Sequence, residues 1–280
     1  SKPTDLLHVV FTRNKTHVQL RQVNTDYITG STQIDEALRK STLGAIISNQ
    51  KIQAYNNDST AIVFDMTGVF LSDNKKMSPF DRNSIYGMYN RTENYQSDCS
   101  YISQIKAFKD NVSIKSCLSY TFSVSNSQGA SLIKDRPFTA EMTRSIMLLK
   151  EKPYRPRMAD YRIGVFFTGR EQLGEGAKTT APVYYANRWD IQPSDTAAYL
   201  RGEKVKPTKQ IVFYIDNTFP EKWKPYLREG VTQWNELFEQ IGFKDVVAAK
   251  DFPTDDPEFD PDNIKYSCVR YAPSSIENAM

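Results

Sequence analysis

The sequence predicts an α+β protein: a mainly antiparallel β-domain at the N-terminus, followed by an incomplete α/β subdomain. Three observations carry that reading. Tyr and Phe are abundant, at 16 and 15 of 280 residues, and short β-branched runs recur through the first two thirds of the chain; both favour sheet over helix bundle. Residues 112–124 alternate apolar and polar almost without a break, the period of a strand with one wet face. After Pro193 the pattern changes to strand, helix, strand, strand, the start of an α/β sheet. The predicted divisions are a β-rich accessory or pro-domain at 1–195, a linker at 196–209 and the α/β portion at 210–280.

Taken in order, Leu6–Thr12 and Thr16–Leu20 are two β-prone runs around Arg13-Asn14-Lys15, which predicts a hairpin. Ile34–Lys40 predicts a short helix, with Asp35 and Glu36 suited to its positive N-terminal end. Ala61–Leu71 reads as one strand, stopped by a turn at Ser72–Lys75. In the long alternating stretch, Val112, Ile114, Leu118, Tyr120, Phe122 and Val124 share one face. Ser113, Lys115, Cys117, Ser119, Thr121 and Ser123 share the other, and Asn126–Gly129 supplies the next turn. Further strands are predicted at Glu141–Leu149 and Tyr161–Thr168. The prolines of Lys152–Arg157 keep that segment extended, and Gly169–Thr180 reads as an exposed loop.

In the C-terminal part, Gln210–Asp216 is a nearly continuous apolar strand of the doubly covered kind. Leu227, Val231, Trp234, Phe238 and Ile241 then recur at helical spacing and draw one apolar stripe. Gly242 follows as a C-cap. Val246–Ala249 and Tyr266–Tyr271 read as two more strands, separated by an acidic, proline-punctuated loop at Asp251–Asp262. The stripe should cover a sheet whose edge is open to pairing with another chain.

Composition narrows the function classes. With 39% hydrophobic and 25% charged residues the chain is an ordinary globular protein. A net charge of +3 comes without a basic, aromatic-interleaved stripe, so no nucleic acid is expected as a partner. The densest basic segment, Lys150–Arg157, is broken by two prolines and Glu151. No window approaches the roughly 18 consecutive apolar residues of a membrane span. Ser1-Lys2-Pro3-Thr4 lacks a signal-peptide core; if the protein is exported, that signal is absent from this sequence.

Catalytic motifs are missing. A zinc hydrolase needs about three ligands and an open position for water, yet His8 and His17 are the two histidines and neither H-E-x-x-H nor C-x-x-C spacing occurs. Both histidines read as ordinary strand residues that do not face one another. The shortage of His also counts against a Ser-His-Asp or Cys-His site. No Gly-x-Ser-x-Gly, P-loop or Gly-x-Gly-x-x-Gly is present, including in Gly169–Gly176. Cys99, Cys117 and Cys268 read as unpaired structural thiols, with a Cys99–Cys117 disulfide as the alternative. Asp251, Asp255, Asp256, Glu258, Asp260 and Asp262 offer oxygens to calcium, but without EF-hand spacing they read as a solvated loop. Asp65 lies on an apolar strand and is expected to point to its polar face. No catalytic or metal-ligand residue is therefore assigned, and no substrate-binding residue is identified.

The stretches Ala61–Phe70, Arg157–Phe167, Tyr185–Trp189, Pro207–Asp216 and Glu229–Asn235, with Gly242-Phe243-Lys244, resemble the N-terminal and early catalytic portion of bacterial met-zincin-like zinc metalloproteases. The resemblance runs from about residue 41 onward and includes no catalytic motif. It implies that the strand from Gln210, the Trp234 helix and the strand through Cys268 open a metzincin-like catalytic subdomain. It places the family's zinc helix beyond Met280, so zinc is expected in a full-length parent and no cofactor in this chain. The parent would be exported to the periplasm, cell surface or medium. The partners implied are the rest of the catalytic domain and a peptide or protein substrate. The alternative is a non-enzymatic surface binding or adhesion module whose tyrosines grip a protein or glycan.

Overall fold

The computed structural model describes residues 6–29, 31–74, 78–80, 89–150, 155–174 and 180–273. The chain is α+β and mainly antiparallel β, as predicted. Strands β1 (Val9–Asn14) and β2 (His17–Gln22) form the expected hairpin, in register Asn14↔His17, with Lys15 at φ 51° in the turn. Strand β2 also pairs antiparallel with β4 (Ile46–Tyr55), which pairs with β5 (Ile62–Phe64). Helix α1 (Thr32–Ser41) covers the predicted span, with Asp35 in its first turn, Arg39 and Lys40 in its last, and Glu36 bridging Lys40 at 2.8 Å. Gly44 lets β4 enter beside β2: a Cβ there would lie 2.4 Å from the Gln22 carbonyl oxygen.

The strand predicted over Ala61–Leu71 is shorter than expected. It ends at Phe64, because Asp65 Oδ1 accepts the Thr67 N–H at 2.8 Å and turns the chain into helix α2 (Thr67–Phe70). Asp65 is exposed, so its carboxylate needs no buried partner. Lys75 of the predicted turn lies outside the described residues.

Three long strands make the largest sheet: β6 (Tyr89–Ala107), β7 (Asn111–Asn126) and β8 (Ser131–Met147), paired antiparallel in that order. The alternation in β7 has its expected consequence. Ile114, Leu118 and Tyr120 are buried, while Lys115, Cys117, Ser119 and Thr121 on the other face are partly open to solvent; Ser113, expected on that open face, is buried instead. Ser116, on the apolar face, is also buried. Gly129 closes the β7–β8 turn at φ 85°. Leu20, Val69, Phe70 and Ile114 form a core between this sheet and the hairpin sheet. Arg144 reaches into it from β8 and donates to the Phe70 carbonyl at 3.0 Å, tying α2 to the sheet.

A third sheet, β10-β9-β3, contains β9 (Phe167–Leu173), antiparallel to β10 (Ala181–Ala186) and parallel to β3 (Tyr27–Thr29). Two expectations change here. Tyr161–Thr168 is strand only from Phe167 onward: Asp160 accepts the Arg162 amide and guanidinium, and its carbonyl takes the Ile163 N–H, which turns the backbone. Gly169–Leu173, read as loop, is strand, because two flanking strands satisfy its backbone whatever its side chains. Residues 175–179 of that predicted loop, and 151–154 of the predicted extended segment, lie outside the described residues.

The C-terminal part is a parallel sheet in the order β12-β11-β13, made of β11 (Ile211–Ile215), β12 (Val247–Asp251) and β13 (Ser267–Val269). The segment 196–209, read as a linker, belongs to this unit. It carries helix α3 (Thr196–Leu200), capped by Asp195, and buries Ala198 and Val205 in a core with Ile211, Phe243, Val246 and Val247. The predicted single helix is two: α4 (Lys224–Thr232) and α5 (Asn235–Gln240). Thr232 Oγ1 donates to the Arg228 carbonyl, competing for helix acceptors. Asn235 meanwhile bonds both the N–H and the C=O of Val247 at 2.8 Å. The break leaves Val231 and Phe238 on the core, while Trp234 and Ile241 face solvent, so the five-residue stripe is not one buried face. Gly242 ends α5 at φ 88°, as expected of a C-cap.

Candidate functional site

The features singled out from the sequence do not converge. His8 lies at one end of the β1–β2 ladder, where its carbonyl accepts the Val23 N–H, and His17 lies at the turn, paired with Asn14. Cys99, Cys117 and Cys268 are free thiols. Cys99 is exposed in an irregularity between Gln96 and Tyr101, and its carbonyl accepts Ser119 Oγ at 2.9 Å. Burial pushes the Cys268 thiol up, which disfavours the nucleophilic thiolate. Among the described residues, no three His, Cys, Asp or Glu side chains converge to hold a metal.

What the fold does bring together is the tip of the β6–β7 hairpin and the acidic loop. Lys106 Nζ lies 2.8 Å from Asp260 Oδ2 and 2.7 Å from Asp262 Oδ2. Asn111, buried at the start of β7, donates to the Asp262 carbonyl at 3.0 Å and accepts the Ile264 N–H at 3.2 Å. Arg270, just past β13, adds a 3.4 Å contact to Asp262. The loop is therefore only partly the solvated segment expected: Asp255, Asp256 and Glu258 are exposed, while Asp260 and Asp262 are docked.

The loop is held from beneath by aromatic contacts. Phe259 and Tyr266 pack on Tyr214 of β11, with ring centroids 5.1 and 5.4 Å away, and Phe252 packs on Phe259 at 4.9 Å. Tyr214 lies on the face of the parallel sheet opposite Ile211 and Phe213, which meet the helices. One face of that sheet thus carries α4 and α5, and the other carries the loop that the N-terminal sheet grips. A second contact is made on the helix face, where Trp189 sits edge-on to Phe213 at 6.1 Å.

The electrostatics suit a clamp. Burial pulls the Lys106 ammonium down, but the hydrogen bonds it donates to Asp260 and Asp262 outweigh it and hold the group above its ordinary range. Burial likewise raises Asp260, and the Lys106 bond and the Asp262 N–H more than reverse it. At the carboxyl end of β11, Asp216 is lowered despite its burial by the Thr218 backbone and hydroxyl, the Tyr271 N–H and the Arg270 charge. Such groups hold two bodies in register; no nucleophile–base pair is among them.

A second polar centre lies inside the N-terminal core. Tyr95 and Tyr120 face one another across β6 and β7, with rings 5.5 Å apart. Burial first, then the Asp73 charge, pushes Tyr120 up to about 12, and burial lowers Arg144. The two tyrosine hydroxyls and Ser116 Oγ have no hydrogen-bond partner among the described residues.

The family comparison bears on the part of the chain that makes this grip. The family described as DUF5117, a domain of unknown function, matches residues 4–194. The chain belongs to that family. No curated protein and no solved structure matches the chain. The DUF5117 segment includes Lys106, Asn111 and Trp189, and it ends just before α3. Every contact described above between the antiparallel sheets and the parallel unit therefore joins the family domain to residues that follow it.

Sequence reasoning missed Lys106 and Asn111. Neither stands in a motif, and each gains its role from a partner more than 150 residues away. A lysine at a strand end and an acidic loop were both visible in the sequence, but nothing in residue order pairs one with the other.

Proposed function

We propose that the chain is the non-catalytic front portion of a secreted zinc-dependent metallopeptidase, in which the DUF5117 domain positions or shields a metzincin-like catalytic domain and its peptide substrate. The observation that carries the reading is the parallel unit β11–α4–α5–β12–β13 clamped to the family domain through Lys106, Asp260 and Asp262. A central first strand, a helical crossover and strands added on either side is how an α/β sheet domain opens. The resemblance noted from Pro207–Asp216 and Glu229–Asn235 falls on this unit.

Among the described residues no three metal-ligating side chains converge; in this reading the zinc is held by a helix of H-E-x-x-H type elsewhere in the parent polypeptide. When bound there, zinc would polarise a water for peptide hydrolysis. The contribution of this chain is mechanical: a rigid sheet held by charge-assisted bonds against the face of the catalytic unit opposite its helices.

The test compares this chain with a polypeptide extended by the downstream coding sequence. The extended protein should hold one zinc and cleave a peptide substrate, and this chain alone should do neither. The absence of H-E-x-x-H downstream, or proteolysis by the isolated chain, would overturn the reading.

A further inference from the structure

We propose that the loop Asp160–Phe166 is a membrane-surface anchor that seats the DUF5117 domain on an anionic lipid interface. This inference does not depend on the protease reading. The loop leaves the outer side of β10, where Met158 bridges Tyr185, and crosses the end of that strand to enter β9 on its other side. Its start is tied by the Ala159 N–H to the Tyr184 carbonyl, and its end by the Asn187 N–H to the Phe166 carbonyl, each at 2.8 Å. Between these ties the side chains project. Tyr161 is 97% exposed, Phe166 88% and Ile163 61%. A monomeric surface tolerates single apolar residues, but several exposed within one short loop mark a site of interaction.

Its shape and its backbone select the partner. Exposure near 90% describes a convex projection, whereas peptide recognition uses a groove or a free strand edge. The backbone is also occupied internally: the Arg162 N–H donates to Asp160 Oδ1, the Ile163 N–H to the Asp160 carbonyl and the Val165 N–H to the Ile163 carbonyl. Those bonds engage three of the loop's amides in local turns rather than in an open strand edge, and so disfavour strand addition there.

Charge completes the pattern. Arg155 and Arg157 enter the loop and are exposed, and Arg162 sits inside it, paired with Asp160 through a contact that leaves the arginine largely in solvent. The Arg157 carbonyl accepts the Ala186 N–H, one residue from the Asn187 that ties Phe166. The backbone of Arg157 therefore lies at the base of the loop, with the exposed Arg155 two residues before it. Aromatic and aliphatic side chains above arginines is the arrangement that buries rings among acyl chains while the guanidinium groups stay with phosphates.

Co-sedimentation with vesicles tests this. The intact chain should pellet with phosphatidylcholine mixed with phosphatidylglycerol at low ionic strength, and should be released as salt rises. Tyr161→Ser with Phe166→Ser should weaken binding about tenfold or more, from the apolar area no longer buried. Arg155→Ser with Arg157→Ser should weaken it about tenfold on mixed vesicles while leaving the thermal melt unchanged. All four side chains are exposed, so unchanged melting separates lost binding from lost fold. A chain that stays in solution with the mixed vesicles at low ionic strength overturns the proposal. So does a Tyr161→Ser/Phe166→Ser variant that pellets like the parent, or a chain that ignores vesicles but binds polyglutamate, which would assign the patch to an acidic polypeptide.

Discussion

Lys106, at the end of β6, and Asp262, in the loop before β13, stand 156 residues apart in the chain and 2.7 Å apart in space. Their contact joins an antiparallel sheet of the DUF5117 domain to a parallel sheet that follows it. Asp260 shares the same ammonium, and Asn111 binds the backbone on either side of Asn263. Two elements with no sequence proximity are thereby held as one unit.

Lys106→Met should destabilise the protein by about 1–2 kcal/mol, between the values for an exposed pair and a fully buried one. Asp262→Asn should cost a similar amount, and the double variant less than the sum, because both changes remove one contact. Urea unfolding of the four proteins measures the coupling. Additive losses would show that the pair is not an energetic link.

The clamp should also set a pH window. Asp260 is held below its ordinary value of 3.8, so its contribution is present above that value and is lost as pH falls through the lower, folded pKa. Lys106 is held above 10.5, so its contribution is present below that value and is lost as pH rises through the folded pKa. Urea midpoints should form a plateau between these limits, and Asp260→Asn should flatten the acid limb.

Leu118→Ala tests the long sheet. Leu118 is fully buried at the centre of β7, and its truncation should cost about 2–5 kcal/mol, depending on how far the site collapses. A loss under about 1 kcal/mol would mean that this face is not the packed core.

Gly242→Ala tests the end of α5. The position combines φ 88° with a Cβ that would fall 2.9 Å from the Tyr199 ring. The expected loss is at least about 1 kcal/mol, larger than a helix-interior change of the same kind. Thermal unfolding gives the answer directly.

Thiol labelling should be ordered. Cys99 is exposed, whereas Cys117 is half-buried and Cys268 is half-buried with a raised pKa. An aromatic disulfide reagent at neutral pH should modify Cys99 first and Cys268 slowly. Equal rates would contradict this arrangement.

The hairpin at Asn14–His17, helix α1, the alternation of β7, the strand β11 and the cap at Gly242 were all legible from residue order, because each depends on local periodicity, turn chemistry or capping. The unit that failed to be a linker was illegible for the opposite reason. Ala198 and Val205 look like isolated residues in a charged segment, and become core only when Phe243 and Val247 arrive beside them. The break at Gln233–Trp234 likewise depends on Asn235 finding the edge of β12, a partner that helical spacing does not encode. Gly169 is in a strand because its neighbours' backbones accept it there, not because of any side chain. The same division runs through the clamp. Residue order alone gave His8 and His17 no metal-ligand spacing and marked the acidic loop as rich in charge. Folding decided where that charge goes, because a carboxylate's role follows from the cation placed within hydrogen-bond reach, and Lys106 reaches it only across the assembled molecule.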